Sequence, residues 1–138
     1  MNEALLTNNN RRKRNLAANG NCPLCDDVEE ETIQHTFRDC DHAMQVWKNL
    51  VPRRDQATFF QSSFNDWMEC NLHNKPHVNV VQSWSVLFGC ACEVLWLRRN
   101  KKVFENEFLN VHTTMKMIWH KFREICDAVK NAGGLHAL

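Results

Sequence analysis

The sequence predicts a mostly α-helical fold, with short helices around a cysteine-rich segment and then a helical region that ends in a long antiparallel helix pair. One helix of the pair is predicted by apolar residues at helical spacing, namely Trp84, Leu87, Phe88, Ala91 and Leu95. The other is predicted by a heptad seam, formed by Val111, Met115, Ile118, Phe122, Ile125 and Val129. The sequence contains no run of alternating β-branched residues. Little or no sheet is therefore expected.

Caps and turn residues predict the short helices of the N-terminal part. Thr7 can cap a helix over residues 8–14. A short helix is predicted over residues 29–39, because acidic residues in its first turn suit the positive end of the helix dipole. Asp41 can cap the next helix, which Pro52 closes. The apolar face of that helix consists of Ala43, Val46, Trp47 and Leu50.

The same signals predict the later helices. Ser62 or Ser63 can cap a helix that carries two apolar residues and a tryptophan. The first long helix is predicted from about residue 79 to residue 105. Asn110 can cap the second, residues 111–131, and the two glycines at 133 and 134 are expected to end it.

Length and composition limit the classes of function. A chain of 138 residues makes one ordinary domain or two very small ones, and we divide it into residues 1–52 and 53–138. The net charge of +1 gives no global attraction to nucleic acid or membrane. The N-terminus lacks the apolar core of a secretory signal, and the most apolar stretch, residues 78–97, holds too many polar groups to span a membrane. We expect an intracellular protein, nuclear or cytoplasmic, with reduced thiols.

Cysteine and histidine spacing gives the strongest chemical signal. Cys22, Cys25, His35 and Cys40 form the pattern C-x2-C-x9-H-x4-C. Three thiolates and an imidazole suit tetrahedral Zn²⁺, and four protein ligands leave no position for a catalytic water. The pattern therefore predicts a zinc knuckle that holds one structural Zn²⁺. Two alternatives stay open: a redox pair, although no strand precedes the cysteines, and a chance coincidence of cysteines and histidines.

The residues around this pattern resemble a known family. The stretches "LLTNNNRRKRNLA", "CPLC" and "EETIQHTFRDCDHAMQVW" resemble the reverse-transcriptase zinc-binding domain of plant non-LTR (LINE-type) retroelement polyproteins. The matching positions are Thr7, Asn8, Arg11, Lys13, Arg14, Cys22, Pro23, Cys25, Glu31, Thr32, His35, Cys40 and Trp47. Downstream, "LWLRRNKKVFENE" resembles the W-x-x-R-N-x-x-V-F segment of the linker that leads toward an RNase H domain in those polyproteins. Asp26 and Arg12 depart from the family pattern, which usually has Gly and an apolar residue there.

The resemblance implies a non-catalytic module that helps a polymerase to hold RNA or target DNA. The chain has no Tyr for a Y-x-D-D polymerase loop. The sequence also does not predict the mixed β-sheet that an RNase H domain needs, so no enzyme activity is predicted. Arg11, Lys13 and Arg14 are the candidate phosphate contacts, giving weak binding without sequence specificity. The alternative is that this basic run balances the acidic residues 26–31.

Two other functions remain as alternatives. The chain could be a zinc-stabilised protein-interaction module whose heptad seam pairs with a partner helix, or an inert retroelement remnant.

Three further residue patterns carry weaker predictions. Cys70, His73 and His77 have a ligand-like spacing but no fourth donor. The basic run 98–102 is predicted to be a solvated helix end. All five tryptophans are predicted to lie in the core.

Overall fold

A computed structural model of the chain describes residue 7 and residues 20–25, 30–73 and 84–136. In these ranges the ordered elements are helical, and the one β-bridge joins single residues, Asn21 and Glu30. The elements are a π-helical turn at His35–Asp39, α1 at Asp41–Leu50, a 3-10 turn at Arg53–Asp55, α2 at Gln56–Gln61, α3 at Phe64–Leu72, α4 at Trp84–Glu105 and α5 at Val111–His136. The predicted mostly α-helical fold is confirmed.

The helix predicted over residues 29–39 begins later than expected. The backbone N–H of Glu31 donates to the carbonyl of Gly20 at 2.7 Å, so this part of the chain pairs across the cysteine-rich segment. Glu30 also forms the antiparallel β-bridge with Asn21, and a residue paired in this extended way cannot lie inside an α-helix that starts at 29. The helical turn follows, and the Thr32 hydroxyl accepts a hydrogen bond from the His35 N–H at 3.0 Å.

Helix α1 forms over the predicted residues with a different cap. Cys40 is its N-cap, whereas Asp41, predicted as the cap, is already in the first turn. There its carboxylate suits the helix dipole. The predicted apolar face is confirmed, since each of its four residues is buried: Ala43, Val46, Trp47 and Leu50.

Residues 53–61 form two short elements that the sequence does not predict. Neither the 3-10 turn nor α2 has a side-chain cap, so the usual start signal is missing. Tertiary contacts hold the segment instead. Phe59 is fully buried, and the Gln56 side-chain amide donates to the Val51 carbonyl at 3.0 Å. The next helix begins as predicted, because the Ser63 hydroxyl accepts from the Asp66 N–H.

Aromatic rings form the centre of the core. Trp47 lies 5.2 Å from Phe88 and 5.5 Å from Trp67 between ring centroids, and its indole N–H donates to a backbone carbonyl at 2.7 Å. Three of the five tryptophans are fully buried, as predicted. Trp96 is half-buried, and Trp119 is 40% exposed, so its prediction as a core residue was wrong.

The predicted antiparallel pair consists of α4 and α5. Only residues 106–110 connect the two helices, so they fold back as a hairpin. In agreement, the Lys121 ammonium in the first half of α5 meets the Glu93 carboxylate in the first half of α4 at 2.9 Å. Asn106 follows α4 in the left-handed conformation, with φ of 52°, and Asn tolerates that conformation better than most residues. Asn110 caps α5 as predicted, since its side-chain oxygen accepts from the Thr113 N–H at 2.8 Å.

The heptad seam of α5 packs over only part of its length. Ile118 is fully buried and Phe122 is half-buried, but Ile125 is 40% exposed and Val129 is 66% exposed. A seam with a period of 3.5 residues drifts by about 20° per heptad on a straight α-helix. Over the one heptad from Ile118 to Ile125 this drift turns the seam only slightly away from α4. The prediction that the whole seam packs against α4 was wrong for Ile125 and Val129. The helix also continues to His136 instead of ending before the glycines. No described glycine adopts the positive φ of a left-handed C-terminal helix cap.

Contacts cross the boundary predicted after residue 52. Helix α4 packs against the His35–Asp39 turn, and α5 packs against α1. The division into residues 1–52 and 53–138 stays a prediction. None of the described helices is long and apolar enough to cross a membrane.

Ile118→Ala should destabilise the fold by about 2–5 kcal/mol, since it removes a fully buried side chain between α4 and α5. Ile125→Ala is the matched control, because the same atoms are lost from a side chain that is 40% exposed. Urea denaturation followed by far-UV circular dichroism measures both variants. Equal losses of stability would contradict the proposed end of the packed seam.

Candidate metal centre

The structure brings together the four residues that the sequence predicts as metal ligands. Cys22 and Cys25 come from the segment before the β-bridge partner Glu30, His35 begins the π-helical turn, and Cys40 lies directly after it. Their ligand atoms all lie within 4.8 Å of one another. Within the described ranges this is the one group of three or more histidine, cysteine or acidic side chains that could hold a metal ion. We call it the Cys3His cluster.

Local backbone pairing explains how distant residues meet. The bridge between Asn21 and Glu30 folds the cysteine pair back toward the helical turn. The turn has π geometry, in which the N–H of Cys40 donates to the carbonyl of His35 at 2.8 Å. A bond between residues five apart makes a wider turn than an α-helix does. His35 and Cys40 thus stand at the two ends of one turn and face the same point.

The distances suit a zinc ion. The Cys25 Sγ lies 3.2 Å from the His35 Nε2 and 3.3 Å from the Cys40 Sγ. Tetrahedral zinc, with bonds of about 2.3 Å to sulfur and about 2.0 Å to nitrogen, requires donors roughly 3.5–3.8 Å apart. The cluster spans this range, so small side-chain movements suffice to fit one ion. Three thiols and one imidazole are also the donor set of a structural zinc site.

The electrostatics of the thiols favour a bound cation. Hydrogen bonding from Cys22 lowers the pKa of the Cys40 thiol far below its usual range, despite the burial that opposes ionisation. The hydrogen bond to Cys40, and then burial, raise the pKa of Cys22. Burial and Cys40 raise the pKa of Cys25. One thiolate is therefore stabilised at the expense of the other two, and a divalent cation would relieve the repulsion when all three ionise.

A buried ion pair, which the sequence analysis does not predict, involves the segment between the cysteine pair and His35. Arg99 on α4 contacts Glu31 with two nitrogens, Nε at 3.0 Å and Nη2 at 2.9 Å. The two side chains are 1% and 0% exposed. The prediction that residues 98–102 form a solvated helix end was therefore wrong for Arg98 and Arg99, both buried. The signal was present, because the family segments quoted above include both Glu31 and the R-N motif.

The other predicted site residues are not brought together in the described structure. Arg11, Lys13 and Arg14 lie outside the described residues. Cys70 is half-buried in α3 and His73 is exposed at its end, whereas His77 also lies outside. No second metal group involving them is found in the ranges that the structure describes.

A helical fold built around a Cys3His cluster defines a small zinc-binding module. Residues 1–47 match the family described as zinc-binding in reverse transcriptase. The resemblance of this segment to reverse-transcriptase zinc-binding domains, seen in the sequence, is confirmed. The family and the cluster together indicate one zinc ion.

A relative from Arabidopsis thaliana, named "Putative ribonuclease H protein", is 30% identical over 103 residues. The match covers 75% of this chain and 16% of the relative. The aligned stretch of 103 residues is longer than the matched domain of residues 1–47, so the similarity to the relative continues into the helical region. The chain spans only a small part of the relative's length. No solved structure shows a significant match.

Cys25→Ser should lose the metal, because serine removes one of the four donors. Cys70→Ser is the control, since Cys70 is a free thiol outside the cluster. Zinc per chain is measured by elemental analysis of freshly purified, reduced protein, with one zinc expected for the wild type and the control. A wild-type protein without zinc, or a Cys25 variant that retains it, would contradict the assignment.

Arg99→Met should cost about 3–5 kcal/mol of stability, because it removes the arginine partner of the buried Glu31 carboxylate. The double variant Glu31→Leu/Arg99→Met should recover part of this loss, since both charges of the pair are then removed. Lys121→Met breaks the exposed pair with Glu93 and should cost less than about 1 kcal/mol. Chemical denaturation of zinc-loaded protein gives all three values. A double variant no more stable than Arg99→Met would refute this account of the pair.

Proposed function

We propose that this chain acts as a non-catalytic zinc-binding module of a retroelement reverse transcriptase, and that it assists in holding nucleic acid. In this proposal Cys22, Cys25, His35 and Cys40 ligate one structural zinc ion. The observation that carries it is the Cys3His cluster, with all four donors within 4.8 Å, inside the segment that matches the zinc-binding family.

A structural role for the metal follows from the donor set. Four protein donors fill a tetrahedral shell, so the ion has no open position to activate water. Cys22 is 6% exposed and Cys40 is 1% exposed, which also keeps substrates away from those ligands. When bound, the zinc supplies a cross-link between the cysteine pair and the start of α1. The module is therefore proposed to have no catalytic activity of its own.

The nucleic-acid role rests on the basic run inside the matched segment. Arg11, Lys13 and Arg14 belong to residues 1–47, and their cationic side chains can contact phosphate. Phosphate contacts give affinity without sequence choice. Binding is therefore proposed to be weak, with Kd of roughly 10⁻⁴–10⁻⁶ M, and similar for unrelated RNA and single-stranded DNA.

A second candidate function is a zinc-stabilised protein-interaction module. It is favoured by the exposed apolar side chains on α5: Trp119 at 40%, Ile125 at 40% and Val129 at 66%. Ile125 and Val129, four residues apart, lie on one side of α5, and this side could pair with a partner helix. Salt separates the two candidates, since phosphate binding weakens steeply as salt rises and apolar helix pairing does not. An inert remnant would show neither interaction.

The cellular location also stays a proposal. All seven cysteines are free thiols, and zinc ligation requires them to remain reduced. We therefore expect the protein to work in a reducing compartment, the nucleus or the cytoplasm.

Replacing Arg11, Lys13 and Arg14 together by Glu should abolish binding to RNA and single-stranded DNA without releasing zinc. The matched control replaces Lys48, Arg53 and Arg54 by Glu, which makes the same charge change at three exposed residues. Fluorescence anisotropy with labelled oligonucleotides at low and moderate salt measures binding, and elemental analysis measures zinc.

Two outcomes of this experiment would count against the nucleic-acid role. The first is a wild type that does not bind at low salt. The second is a loss of binding that is equal in both triple variants, since binding would then follow net charge and not the basic run near the Cys3His cluster.

A further inference from the structure

Arg98 is a buried cation with no carboxylate to pair with in the described structure. It precedes Arg99 on α4 and is only 1% exposed. Arg99 pairs with Glu31, and the other buried arginine, Arg38, pairs with Asp39. For Arg98 the described ranges show no ion pair, and its Nε has no hydrogen-bond partner. A buried charge normally persists only when an opposite charge or several hydrogen bonds compensate its lost hydration.

The residues next to Arg98 on α4 contact the segment that carries the Cys3His cluster. Trp96 stacks on Phe37 of the His35–Asp39 turn at 6.0 Å, and Arg99 pairs with Glu31. Helix α4 packs against the His35–Asp39 turn, and Cys40 follows that turn directly. Burial lowers the pKa of the Arg98 guanidinium, while negative charge on Cys40 and Cys22 acts in the opposite direction and raises it. The two thiols are themselves buried. Arg98 is thus buried on the helix that packs against the segment carrying these thiols.

A count of charges explains why a cation belongs there. Three thiolates, a neutral imidazole and Zn²⁺ give a net charge of −1 in a site of which two ligands are almost fully enclosed. One guanidinium brings the sum to zero. We propose that Arg98 is the counter-charge of the zinc–thiolate centre, a positioning residue that stabilises the ionised cysteines and attaches α4 to the metal site. This inference rests on the proposed ligation of zinc by the four residues.

The role has a chemical consequence for metal retention. Protons and zinc compete for the same thiolates, and a neighbouring arginine lowers the pKa of a cysteine thiol. With Arg98 in place, the ligands hold zinc to lower pH. Without its charge, protons should displace the metal more easily, although all four ligands remain.

The test compares Arg98→Met, Arg98→Lys and Arg98→Gln with wild type, and Arg53→Met serves as a control at an exposed arginine. Zinc affinity is measured by competition with a chromophoric chelator, and zinc release is followed as the pH is lowered. Arg98→Met and Arg98→Gln should bind zinc about 10–100-fold more weakly, as is usual for the loss of a neighbour that supports metal ligands. Their release should also shift to higher pH. Arg98→Lys should recover a large part of both effects, because it restores the charge.

The outcomes separate this inference from the proposed function. A wild type that binds no zinc overturns the ligation itself. Zinc-binding wild type with unchanged affinity and release in Arg98→Met overturns only the role of Arg98. If Arg98→Met does not fold, as judged by circular dichroism, Arg98→Lys and Arg98→Gln decide the question. Equal zinc affinities and release profiles in these two would show that the charge is irrelevant and overturn the proposal.

Discussion

The ion pair between Glu31 and Arg99 is the constraint on which the arrangement of this molecule depends. Both charged groups are excluded from water, so each is tolerable only while the other is present. The partners are 68 residues apart in sequence, and their contact holds α4 against the segment that carries the Cys3His cluster. Glu31 also donates its backbone N–H to Gly20. One residue therefore positions the cysteine pair and the helical hairpin together.

Aromatic packing extends this constraint into the core. The Arg99 guanidinium lies 4.8 Å from the centre of the Trp96 ring, and that ring stacks on Phe37 in the π-helical turn at 6.0 Å. The family match ends at residue 47, but Arg99 and Trp96 lie far beyond it. The zinc-binding domain as the family defines it thus contains a buried acid whose partner is supplied by the next part of the chain. This agrees with a similarity to the Arabidopsis relative that continues past the domain.

The sequence predicts those features that depend on local spacing. The cap at Ser63, the face of α1, the helix pair and the Cys3His cluster each follow from residues a few positions apart, or from ligand spacing that one metal ion requires. Features that depend on distant partners were missed or misjudged. The burial of Arg99 requires knowledge of Glu31 as its neighbour, and the burial of Arg98 requires knowledge of how α4 packs against the cysteine-rich segment. The exposure of Trp119 and Val129 depends on how far α5 stays in contact with α4, which periodicity alone does not give. The phosphate contacts of Arg11, Lys13 and Arg14 stay a prediction.

The π-helical turn has an evolutionary consequence. The bond from the Cys40 N–H to the His35 carbonyl, between residues five apart, helps to set the distance between the histidine and the last cysteine of the cluster. The number of residues between them, which is four, is therefore constrained. Phe37, one of the four residues between His35 and Cys40, is buried against α4. We expect that another apolar residue of similar size can replace it. An insertion or deletion there would instead rotate Cys40 out of the cluster and shift the start of α1. In descendants of this module, the number of residues between His35 and Cys40 should therefore outlast their identities, and a change in that number should mark lineages that have given up the metal.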